Sequence, residues 1–261
     1  YIIENVNKKC KIFIVPLIGP FRFYYPDLTY KKHKDKPLNL PLSYHYSYMI
    51  ECYKNKYSVN EYITNYVNNE NLISSEELEQ CAYDSLKGME RRDKMCKEKY
   101  NKENVYIISI HNFIKKHYKD KLLSYTVDHP SKHVLQHISE KIMDKLNLKN
   151  RIDYNMDPFF KGPRCIMYKC IQKIVNFNIN DYIINAKNCF LLDKRYYHLD
   201  TIKTKYINNV YDIVNLYYKV YDEIKFDSFN KTTKFSPWQT LDEDIVDNNY
   251  KDSVIEQNNL K

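Results

Sequence analysis

The stretch Tyr125-Thr126-Val127-Asp128-His129-Pro130-Ser131 sets a histidine between an apolar run (Leu122, Leu123, Tyr125, Val127) and a segment of helical spacing, His133 to Leu146. An imidazole with an unperturbed pKa of about 6.5 exchanges protons near neutrality, the property a general base needs. Pro130 suits a first helical position and Ser131 a cap. Strand ends that feed helices are where open α/β sheets place their chemistry. His129 reads equally as a polar residue closing a loop.

Other constellations are thinner. His129, His133 and His137 are spaced by four, but residues 134–136 are Val, Leu and Gln, without the glutamate of a His-Glu-x-x-His zinc helix. Surface histidines account for them better than a metal site. Seven scattered cysteines contain no Cys-x-x-Cys, and their spacing singles out none as a partner for His129; Asn188-Cys189 is the one Asn-Cys pair. Neither a Gly-x-Ser-x-Gly elbow nor a phosphate-cradling glycine loop occurs among only 3 Gly. The base is visible and the nucleophile is not.

Positioning such residues requires a scaffold. Cys10 to Leu17, Val105 to Ile110 and Lys121 to Val127 read as three strands, and helix 131–146 should lie against their sheet. Helices are expected from Ser47 to Lys56, from the Ser58/Glu61 capping box, from Ser74/Glu77 to about Tyr100, and near Asn112 to Tyr118. Leu78, Ala82, Leu86 and Met89 should face the core. Residues 18–46, rich in proline and aromatics, read as a long functional loop. Arg151 to Arg164 reads as a loop, Cys165 to Phe177 as either strand or helix, and Ile202 to Ile224 as a long amphipathic helix. Strands alternating with helices give an α/β fold with a small, mostly parallel sheet flanked by many helices. A single domain over 1–229 and a polar, acidic tail over 230–261 are expected.

The chain of 261 residues can bury a full core, and its composition (43% hydrophobic, 27 Tyr, two Ala) resembles the output of an AT-rich genome. In that setting a net charge of +8 marks lysine as the default surface residue, not a nucleic-acid partner. Unpaired cysteines fit a reducing, cytoplasmic compartment. No run of about 18 apolar residues would span a membrane. Beginning at Tyr1 almost directly in a strand, the sequence reads as part of a longer parent chain with other domains.

Four blocks in order resemble the WcbI-type polysaccharide-biosynthesis enzymes, capsule-related acetyltransferases that bind coenzyme A. They are Val15-Pro16 with Tyr25-Pro26-Asp27-Leu28-Thr29-Tyr30; Pro41 to Ser47, with its His45-Tyr46-Ser47 entry into a helix; Arg91-Arg92-Asp93 with Asn104 to Ser109 and Phe113-Ile114; and Ser124 to Leu146. In the fourth, Asp128 stands where the family has Asn. That block also resembles the last block of SGNH hydrolases, whose histidine is the catalytic base, but the usual Asp three positions earlier is Thr126. The family's N-terminal Gly-Asn-Cys-Gln segment does not occur in this sequence.

The resemblance implies an SGNH-like three-layer arrangement and acyl transfer from acetyl-coenzyme A to a glycan or nucleotide-sugar hydroxyl. His129 would be the base, with Asp128 orienting it or capping the helix. Arg92 and Arg164 would meet coenzyme A phosphates, and Tyr25, Asp27, His45, Ser47 and Ser109 would line the site. No metal is implied; the partners are an acyl donor and a sugar acceptor. A non-catalytic glycan-binding domain and a carbohydrate esterase are the alternatives.

Overall fold

The computed structural model describes residues 6–7, 9–16, 21–30, 44–126, 129–149, 165–179 and 209–223, all within the compact unit Tyr1–Phe229. The expected tail, 230–261, lies outside the described residues, as do 150–164 and 202–208.

The expected helices form where local chemistry starts them. Helix α1 (Ser47–Lys54) is capped at Asn55, and Lys56 follows with a left-handed φ of 59°. The capping box at Ser58 opens α2 (Val59–Tyr62): the Glu61 N–H donates to the Ser58 hydroxyl at 3.2 Å, and the Ser58 N–H to the Glu61 carboxylate at 2.7 Å. The helix widens into a π turn over Ile63–Val67. An identical box at Ser74 and Glu77 starts α3 (Ser75–Lys99), which buries Leu78, Ala82, Leu86 and Met89 as their spacing requires. Among the described residues, helices α4 (His111–His117), α5 (Lys132–Lys145) and α6 (Val210–Glu223) follow.

The sheet is small. Strand β1 (Ile12–Ile14) pairs in parallel with a strand at Val105–Ile107, Ile12 opposite Val105 and Ile14 opposite Ile107. The Phe13 and Tyr106 rings stack at 5.4 Å. The Lys145 ammonium, in the last turn of α5, lies over Tyr106, while Lys11 donates to the Lys145 carbonyl at 3.0 Å. Helix α5 thus borders the sheet at its C-terminal end. An α/β fold with a small parallel sheet among many helices is the observed class.

Three expectations need correction. Within the expected strand 121–127, the described residues 121–126 form no strand and make one antiparallel bridge, Ser124 to Pro130. Leu122, Leu123, Ser124, Tyr125 and Thr126 are all buried, so the mixed apolar and hydroxyl run reflects enclosure and not a pleated strand with two unlike faces. The 18–46 region is not merely a loop: a 3-10 turn (Arg22–Tyr24) leads to β2 (Leu28–Tyr30), which pairs antiparallel with β3 (Tyr44–Tyr46). With these, the Val105–Ile107 strand is β4. Along α5 only Val134 is fully buried, and Leu146 is exposed, so its apolar stripe is covered at one end only.

The core is aromatic. Phe21, Phe23, Tyr24, Tyr46, Tyr62, Tyr168, Tyr217 and Tyr221 are fully buried. Buried phenols need polar partners. Tyr24 donates to the carbonyls of Tyr118 (2.7 Å) and Lys121 (2.8 Å), and Tyr46 accepts the Ile166 N–H at 2.6 Å. Residues 165–168 thereby run beside β3 before a 3-10 turn at Lys169–Lys173.

Candidate active site

The loop carrying His129 is fixed by its own polar atoms. The Tyr125 N–H donates to the His129 carbonyl (2.9 Å), the Ser131 N–H to the Leu123 carbonyl (2.9 Å), and the Ser124 hydroxyl to the His129 carbonyl (3.0 Å). Thr126, wholly buried, meets His129 twice. Its Oγ1 lies 2.6 Å from Nδ1 and accepts the His129 backbone N–H at 3.1 Å. The described partner of the His129 ring is thus the threonine hydroxyl three positions before it. His129 is half-buried.

Tyr25 joins this loop: its buried phenol donates to the Ser124 carbonyl at 2.9 Å. Asp27, two residues on, faces α1. Its carboxylate accepts the Tyr48 N–H (3.1 and 3.2 Å to the two oxygens) and the Tyr168 hydroxyl, while its carbonyl accepts the Ser47 N–H at 3.1 Å. Tyr46, the residue before α1, offers no side-chain cap, so Asp27 supplies one from another strand. Tyr168 also meets Tyr62 at 2.9 Å. Burial raises the Asp27 pKa from 3.8 to about 7, against hydrogen bonds from Tyr168, Tyr48 and Ser47 that lower it.

His45 is buried, its Nδ1 3.1 Å from the Tyr221 hydroxyl and its ring stacked on Tyr221 at 5.9 Å. It packs β3 against α6. Ser47 is exposed at the start of α1. Ser109, just past β4, donates to the buried Asp93 carboxylate on α3. Arg92 is half-buried, and its guanidinium lies back along α3 over Gly88, where a Cβ would sit 3.5 Å from Nη1. Asp128 and Arg164 lie outside the described residues.

The structure thus gathers Tyr25 and His129 through one loop, Asp27 and Ser47 at the head of α1, and Ser109 with Asp93 at the end of β4. The first and fourth sequence blocks meet at the Tyr25–Ser124 contact. Tyr168 belongs to the Asp27 group, but 141 residues separate the two, and nothing local in the sequence marks the pair.

Burial pushes the thiols of Cys52, Cys81 and Cys170 up to about 11 and raises Cys96. Among the described residues, Cys10, Cys52, Cys81, Cys96 and Cys170 stand outside any disulfide. His137 stacks on Phe113 at 4.3 Å, and burial with neighbouring lysines lowers the pKa of His117, His133 and His137. Among the described residues no group of three or more His, Cys, Asp or Glu is placed to hold a metal, and no helix is long and apolar enough to cross a membrane.

Comparison with known proteins follows the same geography. The WcbI polysaccharide-biosynthesis enzyme family matches residues 1–151, which hold every described part of the site except Tyr168, Tyr221 and Cys170. Curated proteins give no match. A solved structure described as WcbI, a polysaccharide biosynthesis enzyme, native and without a disulfide bond between coenzyme A and one of its cysteines, is similar at 16% identity. The similarity covers 82% of this chain and 68% of that one, with a TM-score of 0.45. With more than half of its length matched, the chain belongs to the WcbI family of polysaccharide biosynthesis enzymes.

Proposed function

We propose that this domain transfers an acyl group, in the simplest case acetyl, from coenzyme A to a hydroxyl of a glycan or nucleotide sugar, with His129 as general base. The observation that carries the reading is the position of His129, half-buried in the loop before α5 with Nδ1 2.6 Å from the Thr126 hydroxyl. Family membership supplies the polysaccharide context.

Three of the seven thiols, Cys52, Cys81 and Cys170, are disfavoured as acyl carriers, and direct transfer needs none. A cysteine whose pKa is about 11 is almost wholly protonated at neutral pH, which disfavours a covalent acyl intermediate on Cys52, Cys81 or Cys170. In the direct route the acceptor O–H proton passes to the His129 imidazole as its oxygen bonds to the thioester carbon. The tetrahedral centre then collapses, the C–S bond breaks, and the departing thiolate takes the proton back from the imidazolium.

Arg92 and Arg164 are assigned to the coenzyme A phosphates, since guanidinium forks match phosphate oxygens. Asp128 is assigned to orienting His129 or capping α5. Tyr25 acts through the Ser124 carbonyl, Asp27 by fixing the head of α1, and Ser109 through Asp93. Ser47 lines the acceptor side, with His45 behind it as packing. The reaction is placed in the cytoplasm, with 1–229 as the working domain, 230–261 as a tail and further domains in the parent chain.

Product analysis tests this directly. The intact protein should form an acylated sugar only with acetyl-coenzyme A present. Removal of acyl groups without coenzyme A would make it an esterase, and sugar binding with no product in either case would make it a binding domain.

A further inference from the structure

We infer that the first turn of α5 binds the phosphate of the acceptor, which is a sugar phosphate or a nucleotide sugar: the Ser131 hydroxyl and the Lys132 and His133 amides cradle it beside His129. This deepens the proposed function and rests on His129 being its base.

Ser131 opens the helix and is 1% exposed, yet its buried Oγ has no hydrogen-bond partner. A serine in that place ordinarily accepts an amide of the first turn, and this one does not. The Val134 and Leu135 N–H groups both go to the Ser131 carbonyl, at 3.1 and 3.2 Å. The Lys132 and His133 amides are left with no acceptor among the described residues. A buried hydroxyl beside unpaired amides is costly unless a ligand completes it. Lys132 and His133 are only half-buried, so a ligand meets the turn from outside, and rotation of Ser131 between staggered positions brings Oγ to it.

The charge around the turn has the sign an anion needs. The positive end of the helix dipole lies here. Lys132 on the turn, with His117 of α4 and Lys121 beyond it, acts on the half-buried His133 ring, and together with burial they hold its pKa down. Asp120, at the same end of α4, acts on His117 and accepts the Asn176 side-chain N–H at 2.6 Å.

Reach decides which phosphate binds. Ser131 is two residues past His129, a span of at most about 7 Å. A sugar hydroxyl and a phosphate on the same ring fit within it. In coenzyme A the long pantetheine arm separates the thioester from every phosphate, so a thioester at His129 keeps those phosphates away from α5.

The test follows the His133 ring by NMR pH titration of the intact protein and needs no catalysis. Pyrophosphate, a sugar 1-phosphate and a nucleotide sugar should each move the His133 midpoint to higher pH, because a bound anion favours the imidazolium; the same sugar without phosphate should not. Ser131→Ala should weaken this binding by about 10-fold or more, without lowering the melting temperature of the ligand-free protein. Whichever of the two sugar esters saturates the shift at lower concentration names the source of the phosphate. No shift with any of the three, or equal affinity in wild type and Ser131→Ala, overturns the inference. So does an equal shift with coenzyme A alone, which would place donor phosphates on the turn, or a shift that appears only after Asp128→Asn, which would mean that the chain's own carboxylate fills it. A phosphate-dependent shift in a protein that transfers no acyl group would refute the proposed function and leave the anion site standing. Equal acylation of sugars with and without phosphate would do the reverse.

Discussion

The Tyr25 phenol donates to the Ser124 carbonyl across 2.9 Å of buried space, and 99 residues of chain separate the two. Ser124 in turn holds the His129 carbonyl, so the segment before β2 and the loop before α5 behave as one piece. Tyr24 adds two bonds to the same region, at the Tyr118 and Lys121 carbonyls.

Tyr25→Phe should therefore cost about 1–3 kcal/mol, the range for leaving a buried acceptor unpaired. The loss should be local as well as global. Hydrogen exchange at the Tyr125 amide, which donates to the His129 carbonyl, should accelerate more than exchange within α3. Uniform acceleration across both would show that Tyr25 stabilises the core without holding the His129 loop.

Asp27 should make stability depend on pH. Its folded pKa, about 7, stands above the ordinary 3.8, because burial penalises the charged form. The neutral carboxyl's contribution is thus complete below about pH 4 and is lost as pH rises toward and through 7. Asp27→Asn keeps an oxygen for Tyr48 and Tyr168 but cannot ionise. The melting-temperature difference between variant and wild type should grow in the variant's favour from pH 4 to pH 8; a constant difference would mean that Asp27 does not titrate in that window.

The histidines between α4 and α5 act at the opposite end. Burial and nearby lysines hold His133 and His137 below the ordinary 6.5, so the folded state binds their protons more weakly than the unfolded chain. Stability is full above 6.5 and falls as pH drops through the lowered values. His133→Gln with His137→Gln should flatten that acid limb in thermal melts at pH 5 and pH 7. An unchanged acid limb would remove these two rings from the account.

Coenzyme A should raise the melting temperature, since a ligand that prefers the folded state stabilises it. Arg92→Ala should shrink that shift. Equal shifts in both proteins would take Arg92 out of the donor site.

Much of the helical scaffold was legible because its signals are local. Two Ser-x-x-Glu boxes mark the starts of α2 and α3, and the Leu78-Ala82-Leu86-Met89 stripe fixes the buried face of α3. The parallel pairing of β1 with β4 followed from two apolar runs. Segment 121–127 misled because hydroxyls of Ser124 and Thr126 satisfy backbone atoms that a strand would pair with a neighbour. At the candidate site, His129 was legible from its place before Pro130, but its partner was not. The Asp27–Tyr168 and His45–Tyr221 pairs are set by tertiary packing across 141 and 176 residues, where no periodicity reaches.

Acceptor-dependent release of the coenzyme A thiol, from acetyl-coenzyme A and a panel of nucleotide sugars, tests the central claim most directly when wild type and His129→Ala are compared. At least one sugar should stimulate release by the wild type. His129→Ala should reduce that rate by about 10²–10⁴-fold, with the melting temperature nearly unchanged, because a half-buried imbedded ring at the loop edge contributes little apolar burial. Equal rates in the two proteins, or release that no sugar stimulates, would contradict the assignment of His129 as the base of an acyl transferase.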